Sequence, residues 1–217
     1  MQSFLNMRYP ALFFSALSVA GVAVFAFAVG VLMLPHAGAL GERQGEMTCL
    51  QVAFTSERAA SIIGSFAPEG QQAMARLLVP GDMVFAWGYG LILAGLVGLL
   101  TLRLDGRWRR WGAVAIWFPI AAAIFDDIED VFLFQSVQSV LMNPDVSMSP
   151  MLPALASVAA VLKYFALCVL TPVFSIGGIV RGLQIDRRIG AFVVYSLLLM
   201  MIASLFMRLA PQLPQCF

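Results

Sequence analysis

The sequence predicts an all-α integral membrane bundle of five transmembrane helices, and three observations carry that expectation. Hydrophobic residues make up 61% of the 217 positions and charged residues only 12%, with a mean hydropathy of +0.89. That leaves too little polar surface to cover a water-soluble globule. The apolar residues gather into runs of about 20, the length that crosses a bilayer, and the basic residues concentrate in short turns between alternate runs. The 13 basic and 12 acidic residues nearly cancel, so there is no basic stripe to suit a nucleic-acid partner. The partner implied by composition is the lipid bilayer.

The first run, residues 11–34, follows Arg8 and holds no charge over its length. It also resembles a cleavable signal peptide, since "HAGALGE" carries an A-x-A at Ala37 and Ala39. A run this long exceeds the usual ~7–15-residue signal core, so a retained first span is the expectation. The next runs cover residues 79–102, 111–134, 152–180 and 189–207. The turns at 103–110 and 181–188 are short and arginine-rich, which marks them as cytoplasmic. The amino terminus is then cytoplasmic and the carboxyl terminus outside. On that count eight basic residues lie inside (Arg8, Arg103, Arg107, Arg109, Arg110, Arg181, Arg187, Arg188) and four outside (Arg43, Arg58, Arg76, Arg208). The expected location is the inner (plasma) membrane.

The outer loop, residues 35–78, contains "TSERAASIIGSF" and "PEGQQAMARLL", both amphipathic, with helix-start signals at Thr55 or Ser56 and at Pro68. Two short helices capping the outer mouth of the bundle are expected there. Cys49 and Cys216 fall on the same outer face, where an oxidising compartment permits a disulfide; two unpaired thiols are the other reading. Cys168 sits in the fourth span. His36, just past the first span, reads as a solvated interfacial residue. One histidine and three scattered cysteines offer no haem or zinc signature, and no nucleotide-binding loop is present.

The functional signal lies within the spans. In the second, Asp82, Ala86, Gly90, Ala94 and Gly98 recur every four residues, a small-residue ridge that lets helices approach closely in lipid. Asp82 heads that ridge, and Tyr89 lies two turns on, close to the same face. The alternative for Asp82 is an acid at a helix start, favoured by the helix dipole. In the third span "AIFDDIEDVFLF" sets Asp126, Glu129 and Asp130 at i, i+3 and i+4 on one face, with Asp127 rotated about 100° away. Pro119, seven residues earlier, can kink this span. In the fourth span Lys163 is the only lysine of the chain, roughly 15 Å from the outer end by helical rise. It is the natural counter-charge, and a snorkelling structural lysine is the alternative.

Each ionised acid in hydrocarbon costs at least about 2.5 kcal/mol, and five acids against one lysine leave a formal −4. Protons or a bound cation must neutralise the excess. Asp82, Tyr89, Asp126, Asp127, Glu129, Asp130 and Lys163 are therefore the candidate binding residues, with Asp126, Glu129 and Asp130 as possible metal ligands. They are expected to line a cleft open to the outside. The bland alternative ends the third span at Phe125 and lays "VFLFQSVQSVLM" along the interface.

The segments "FTSERAASIIGSFAPEG", "PGDMVFAWGYG", "FDDIED" and "LKYF" resemble a family of uncharacterised bacterial multi-span membrane proteins. Its members share an amphipathic F...RA..I...W...G segment, a span starting L-D and carrying Y-G, a span with D-x-x-E-N, and a lysine in the next span. The resemblance covers about residues 50–165 and places Asp82, Tyr89, Asp126, Glu129 and Lys163 at matching positions. Asp130 stands where the family has asparagine and Asp127 is added, so this cluster is the more acidic. The resemblance implies no activity. Three functions remain open on sequence: binding or transport of a cation, proton or cationic small molecule; a lipid-modifying enzyme with paired carboxylates, Tyr89 as donor and Lys163 holding a head group; and a non-catalytic accessory subunit whose acids pair with a partner membrane subunit.

Overall fold

A computed structural model describes residues 5, 7–142 and 148–185, all helices and connections with no strand among them. Four helices are long and apolar enough to cross a membrane: α1 (Pro10–Leu40), α4 (Pro68–Thr101), α5 (Gly106–Met142) and α6 (Met151–Gln184). Two short helices, α2 (Gly45–Gln51) and α3 (Ser56–Gly64), lie between α1 and α4. The expected spans 11–34, 111–134 and 152–180 fall inside α1, α5 and α6, and the span 79–102 falls in α4 except for Leu102, just past its end. The fifth, residues 189–207, lies outside the described residues, as does Cys216 and with it the expected Cys49–Cys216 pairing. Cys168 is a free thiol on the exposed side of α6.

Contacts along the helices set their directions. Successive positions of α1 meet receding positions of α4: Phe14 faces Gly98, and Gly21 and Phe25 face Gly88. Thr101 and Gly90 of α4 likewise meet Gly112 and Pro119 of α5, and Asp126 of α5 meets Lys163 of α6. The four long helices therefore run up, down, up and down. Glycine makes the tightest of these crossings. A Cβ on Gly88 would stand 2.8 Å from the backbone nitrogen of Phe25, closer than packed helices allow.

The ridge read from sequence is shared between two neighbours. Gly90 abuts the Pro119 carbonyl and the Ala123 methyl on α5, whereas Gly98 receives the Phe14 ring of α1. Large apolar side chains face outward from α1 (Leu12, Val19, Val22, Val31) and α6 (Val158, Val161, Val173, Ile176), each more than half exposed. Exposed faces this apolar are what a lipid-facing helix presents.

Prolines interrupt the long helices at defined places, α1 among them, where a widened turn over Ala28–Met33 precedes Pro35. Pro80 has no N–H to offer, and Val79 leaves helical geometry at φ −128°, ψ 115°, in a widened turn over Leu77–Asp82. The amphipathic segment expected at Pro68 is thus the first part of α4. Helix α5 breaks at Ile116, where Pro119 leaves the Ala115 carbonyl without its usual donor. In α6 a widened turn over Phe165–Leu170 precedes Pro172, and the Thr171 hydroxyl donates to the Ala166 carbonyl at 2.8 Å.

Beyond Ile116, α5 continues unbroken over Trp117–Met142, straight through the acids. This overturns the reading in which the span ends at Phe125. Leu133 and Val137, fully buried, pack with Leu50, Ile63, Phe66 and Met74 in a core that the segment between α1 and α4 lays over the ends of α5 and α6. These residues form the underside of a cap. Thr55 starts α3 by accepting from the Arg58 backbone N–H. The cap is tied to α6 at two points: the Phe54 N–H donates to Ser157 Oγ at 3.0 Å, and the Tyr164 hydroxyl donates to Gln51 Oε1 at 2.7 Å. At the opposite end lie the Arg103–Arg110 turn and Arg181, which reaches Asp105 at 3.2 Å.

Candidate functional site

The site lies one layer below the cap, where α4, α5 and α6 meet. The i, i+3, i+4 spacing on the uninterrupted Trp117–Met142 stretch of α5 turns Asp126, Glu129 and Asp130 inward together. They are 3%, 0% and 0% exposed. Lys163, 5% exposed, projects from the small-residue face that Ala156, Ala159 and Ala160 give α6. Its Nζ lies 2.6 Å from Asp126 Oδ1 and 2.6 Å from Glu129 Oε2. Only the first contact has hydrogen-bond geometry; both oxygens of Glu129 lack a hydrogen-bond partner. The ammonium also lies 4.9 Å from the centre of the Tyr164 ring, so the residue that ties down the cap touches the charge inside the site.

On α4 the turn around Pro80 aims two further groups at the same place. Tyr89 donates its hydroxyl to Asp126 Oδ2 at 2.8 Å. Asp126 thus has one oxygen on Lys163 and the other on Tyr89. Asp82 stands at the start of the helical stretch Met83–Thr101 but makes no capping hydrogen bond. Its carboxylate converges instead with those of Asp126 and Asp130, one oxygen from each lying within 4.8 Å of the other two.

The candidate residues divide into two groups. Asp82, Tyr89, Asp126, Glu129, Asp130 and Lys163 come together. Asp127 points to the edge of the bundle, where Oδ2 accepts from the Trp87 indole at 2.8 Å and both residues contact the surroundings. The converging acids also differ from the metal set read on sequence. Asp82 takes the place of Glu129, which Lys163 occupies. Trp87, Gln51 and Tyr164 were not singled out on sequence. Tyr164 had a signal in its position next to Lys163, whereas Gln51 lies on a separate segment 113 residues away and had none.

Without Asp127 the site contains four carboxylates and one ammonium, a formal −3. Asp130 is as fully buried as Glu129 but, among the described residues, lies in no ion pair with Lys163, which sits on Asp126 and Glu129. Both its oxygens are buried without a hydrogen-bond partner among the described residues. A buried charge in that condition costs several kcal/mol unless it is neutralised. The acids expected to line a cleft form instead a largely buried cluster beneath α2, α3 and the first part of α4, with Asp82 at its half-buried edge.

Comparison with protein-family models, with curated proteins and with solved structures finds no match for this chain. The reading of its function therefore rests on the geometry of these six side chains.

Proposed function

We propose that this chain is a multi-pass inner-membrane protein that binds a small cation between Asp82, Asp126 and Asp130, as the binding element of a transport or ion-sensing activity. The arginine-rich end is placed in the cytoplasm, following the bias of basic residues toward that side, and the cap outside. The observation that carries the reading is Asp130, buried with both oxygens unpartnered, beside two other carboxylates. Three oxygens no more than 4.8 Å apart can all lie within about 2.8 Å of a common point, nearer the ~2.3–2.6 Å of calcium–oxygen bonds than the ~2.0–2.1 Å of magnesium. A larger, flexibly coordinated cation suits the site better than magnesium does. Protons compete for the same oxygens, so affinity falls as the medium is acidified.

Burial weighs against the other two readings. Glu129 and Asp130 are 0% exposed, out of direct reach of a lipid head group or of a partner's basic side chain, whereas a small ion can approach them past the half-buried Asp82. Lys163 fits the cation reading as a tethered charge that lowers the excess from −4 to −3.

Thermal unfolding of the detergent-solubilised protein tests the proposal across calcium, magnesium, sodium and potassium at constant ionic strength. Wild type is expected to be stabilised by calcium more than by magnesium, by about 2.7 kcal/mol at a hundredfold excess over Kd, and Asp130→Asn is expected to abolish the shift. Identical melting of wild type and Asp130→Asn across all four ions would remove the basis of the reading.

A further inference from the structure

A second, separate site lies at the arginine-rich end. Between α1, α4 and α5 runs a groove of about 160 Å³, lined by apolar side chains that include Phe13, Leu17, Leu91, Ile116, Trp117 and Ile120. It opens toward the bilayer, since Phe13 and Trp117 are 38% and 44% exposed. Its volume matches the roughly 150 Å³ of apolar cavities that accept a benzene ring, enough for a stretch of hydrocarbon chain.

Charge at its mouth specifies the rest of the occupant. Arg109 donates to the Leu5 carbonyl at 3.4 Å, and Leu5 is itself part of the groove wall. A guanidinium has five N–H donors, so among the described residues this long contact engages only a minority of them. Arg109 lies four and seven residues before Ala113 and Ile116, and Arg110 three and seven before Ala113 and Trp117, all groove residues. Helical spacing sets both arginines on faces that run into the groove. Arg8 lies two residues before Pro10, where the helix that supplies Phe13 and Leu17 begins.

We infer that this groove is a binding site for one anionic phospholipid, with a segment of acyl chain between α1, α4 and α5 and the phosphate on Arg109 and its arginine neighbours. Arginine suits that head group because its planar fork meets phosphate oxygens in pairs. The site shares no residue with the carboxylate cluster, so it stands whether or not that cluster binds a cation.

Native mass spectrometry of the protein released from nanodiscs containing equal phosphatidylglycerol and phosphatidylcholine tests the inference. Wild type is expected to retain one phosphatidylglycerol at least about tenfold over phosphatidylcholine. Arg109→Gln should cut that preference about fivefold, the factor set by one surface guanidinium near anionic lipid, while a lipid is still retained. Ile120→Trp, which fills the groove from its half-buried rim, should abolish retention at an unchanged monomer elution volume. Equal retention of the two lipids by wild type overturns the proposal without reference to any variant. So does a lipid-free dimer that Ile120→Trp dissociates, which would make the groove a contact between copies, or free inorganic phosphate displacing the bound lipid.

Discussion

Replacing Lys163 by methionine tests the cluster most directly, because the two side chains are similar in length and only the charge and its contacts are lost. At 2.6 Å, and with an effective dielectric of about 20, each carboxylate contact of the ammonium is worth about 6 kcal/mol before the desolvation of the ions is subtracted. Removing one member of such a buried pair typically leaves a net cost of about 3–5 kcal/mol, because the partner stays buried and charged. The formal charge of the cluster also moves from −3 to −4. Lys163→Met is therefore expected to lower stability by about 3–5 kcal/mol at neutral pH. The double variant Lys163→Met with Asp126→Asn should recover a large part of that loss. The assay is a double-mutant cycle by denaturation in detergent micelles, at low and at high salt. A coupling energy below about 0.5 kcal/mol, the limit for independent sites, would refute the pairing. A deficit that vanishes in about 1 M salt would do so too, since screening at a ~3 Å Debye length acts on exposed charges far more than on buried ones.

Other perturbations address the remaining layers. In the absence of added cation, Asp130→Asn should melt above wild type, because it removes a buried charge that has no partner; a lower melting temperature in calcium-free buffer would contradict this. Gly88→Ala should cost about 1–3 kcal/mol, since the new methyl meets the backbone of Phe25 rather than a side chain that can rotate away, and an unchanged melting curve would show that α1 and α4 are less closely packed. Tyr164→Phe should cost about 1 kcal/mol and speed amide exchange in Gly45–Gln51 by releasing Gln51; exchange unchanged from wild type would detach the cap from that contact. Thr55→Ala should cost about 1 kcal/mol by uncapping α3. The Glu57 carboxylate is held below its ordinary value of 4.5 by its own backbone N–H and by the Thr55 and Ser56 hydroxyls. A depressed folded pKa contributes stability above the unfolded value and loses it as pH falls through the folded one. The Thr55→Ala deficit should accordingly shrink as pH falls below the ordinary carboxyl value of 4.5, and a deficit that grows there would reverse the assignment.

The cap does more than cover the buried acids. Tyr164 donates to Gln51 of the cap, and its ring lies 4.9 Å from the ammonium of Lys163. Any change in charge on Lys163 or its acids is felt one residue from a bond that holds the cap in place. The Tyr164→Phe experiment is thus also a measure of how firmly cap and cluster are coupled.

The sequence by itself determined the class, the four long helices within the described residues, and the inward face of α5. Hydrophobic runs of spanning length and i, i+3, i+4 spacing are local properties, fixed by helical geometry whatever the neighbours do. It also fixed which side chain could answer the acids, because the chain has one lysine. Pairing was decided by tertiary structure. Asp82 and Asp127 are both acids beside a helical apolar run, yet the widened turn at Pro80 swings Asp82 onto Asp126 and Asp130, while Asp127 turns outward to Trp87. Residues 132–141 illustrate the same limit. Their composition suits an interface helix as well as a buried one, and only the apolar undersides of α2, α3 and the start of α4, folded back from distant parts of the sequence, make them the floor of a cap. Helix spacing can place side chains on a face; which face is opposite, and whether water reaches the gap between, depends on contacts between segments far apart in the chain.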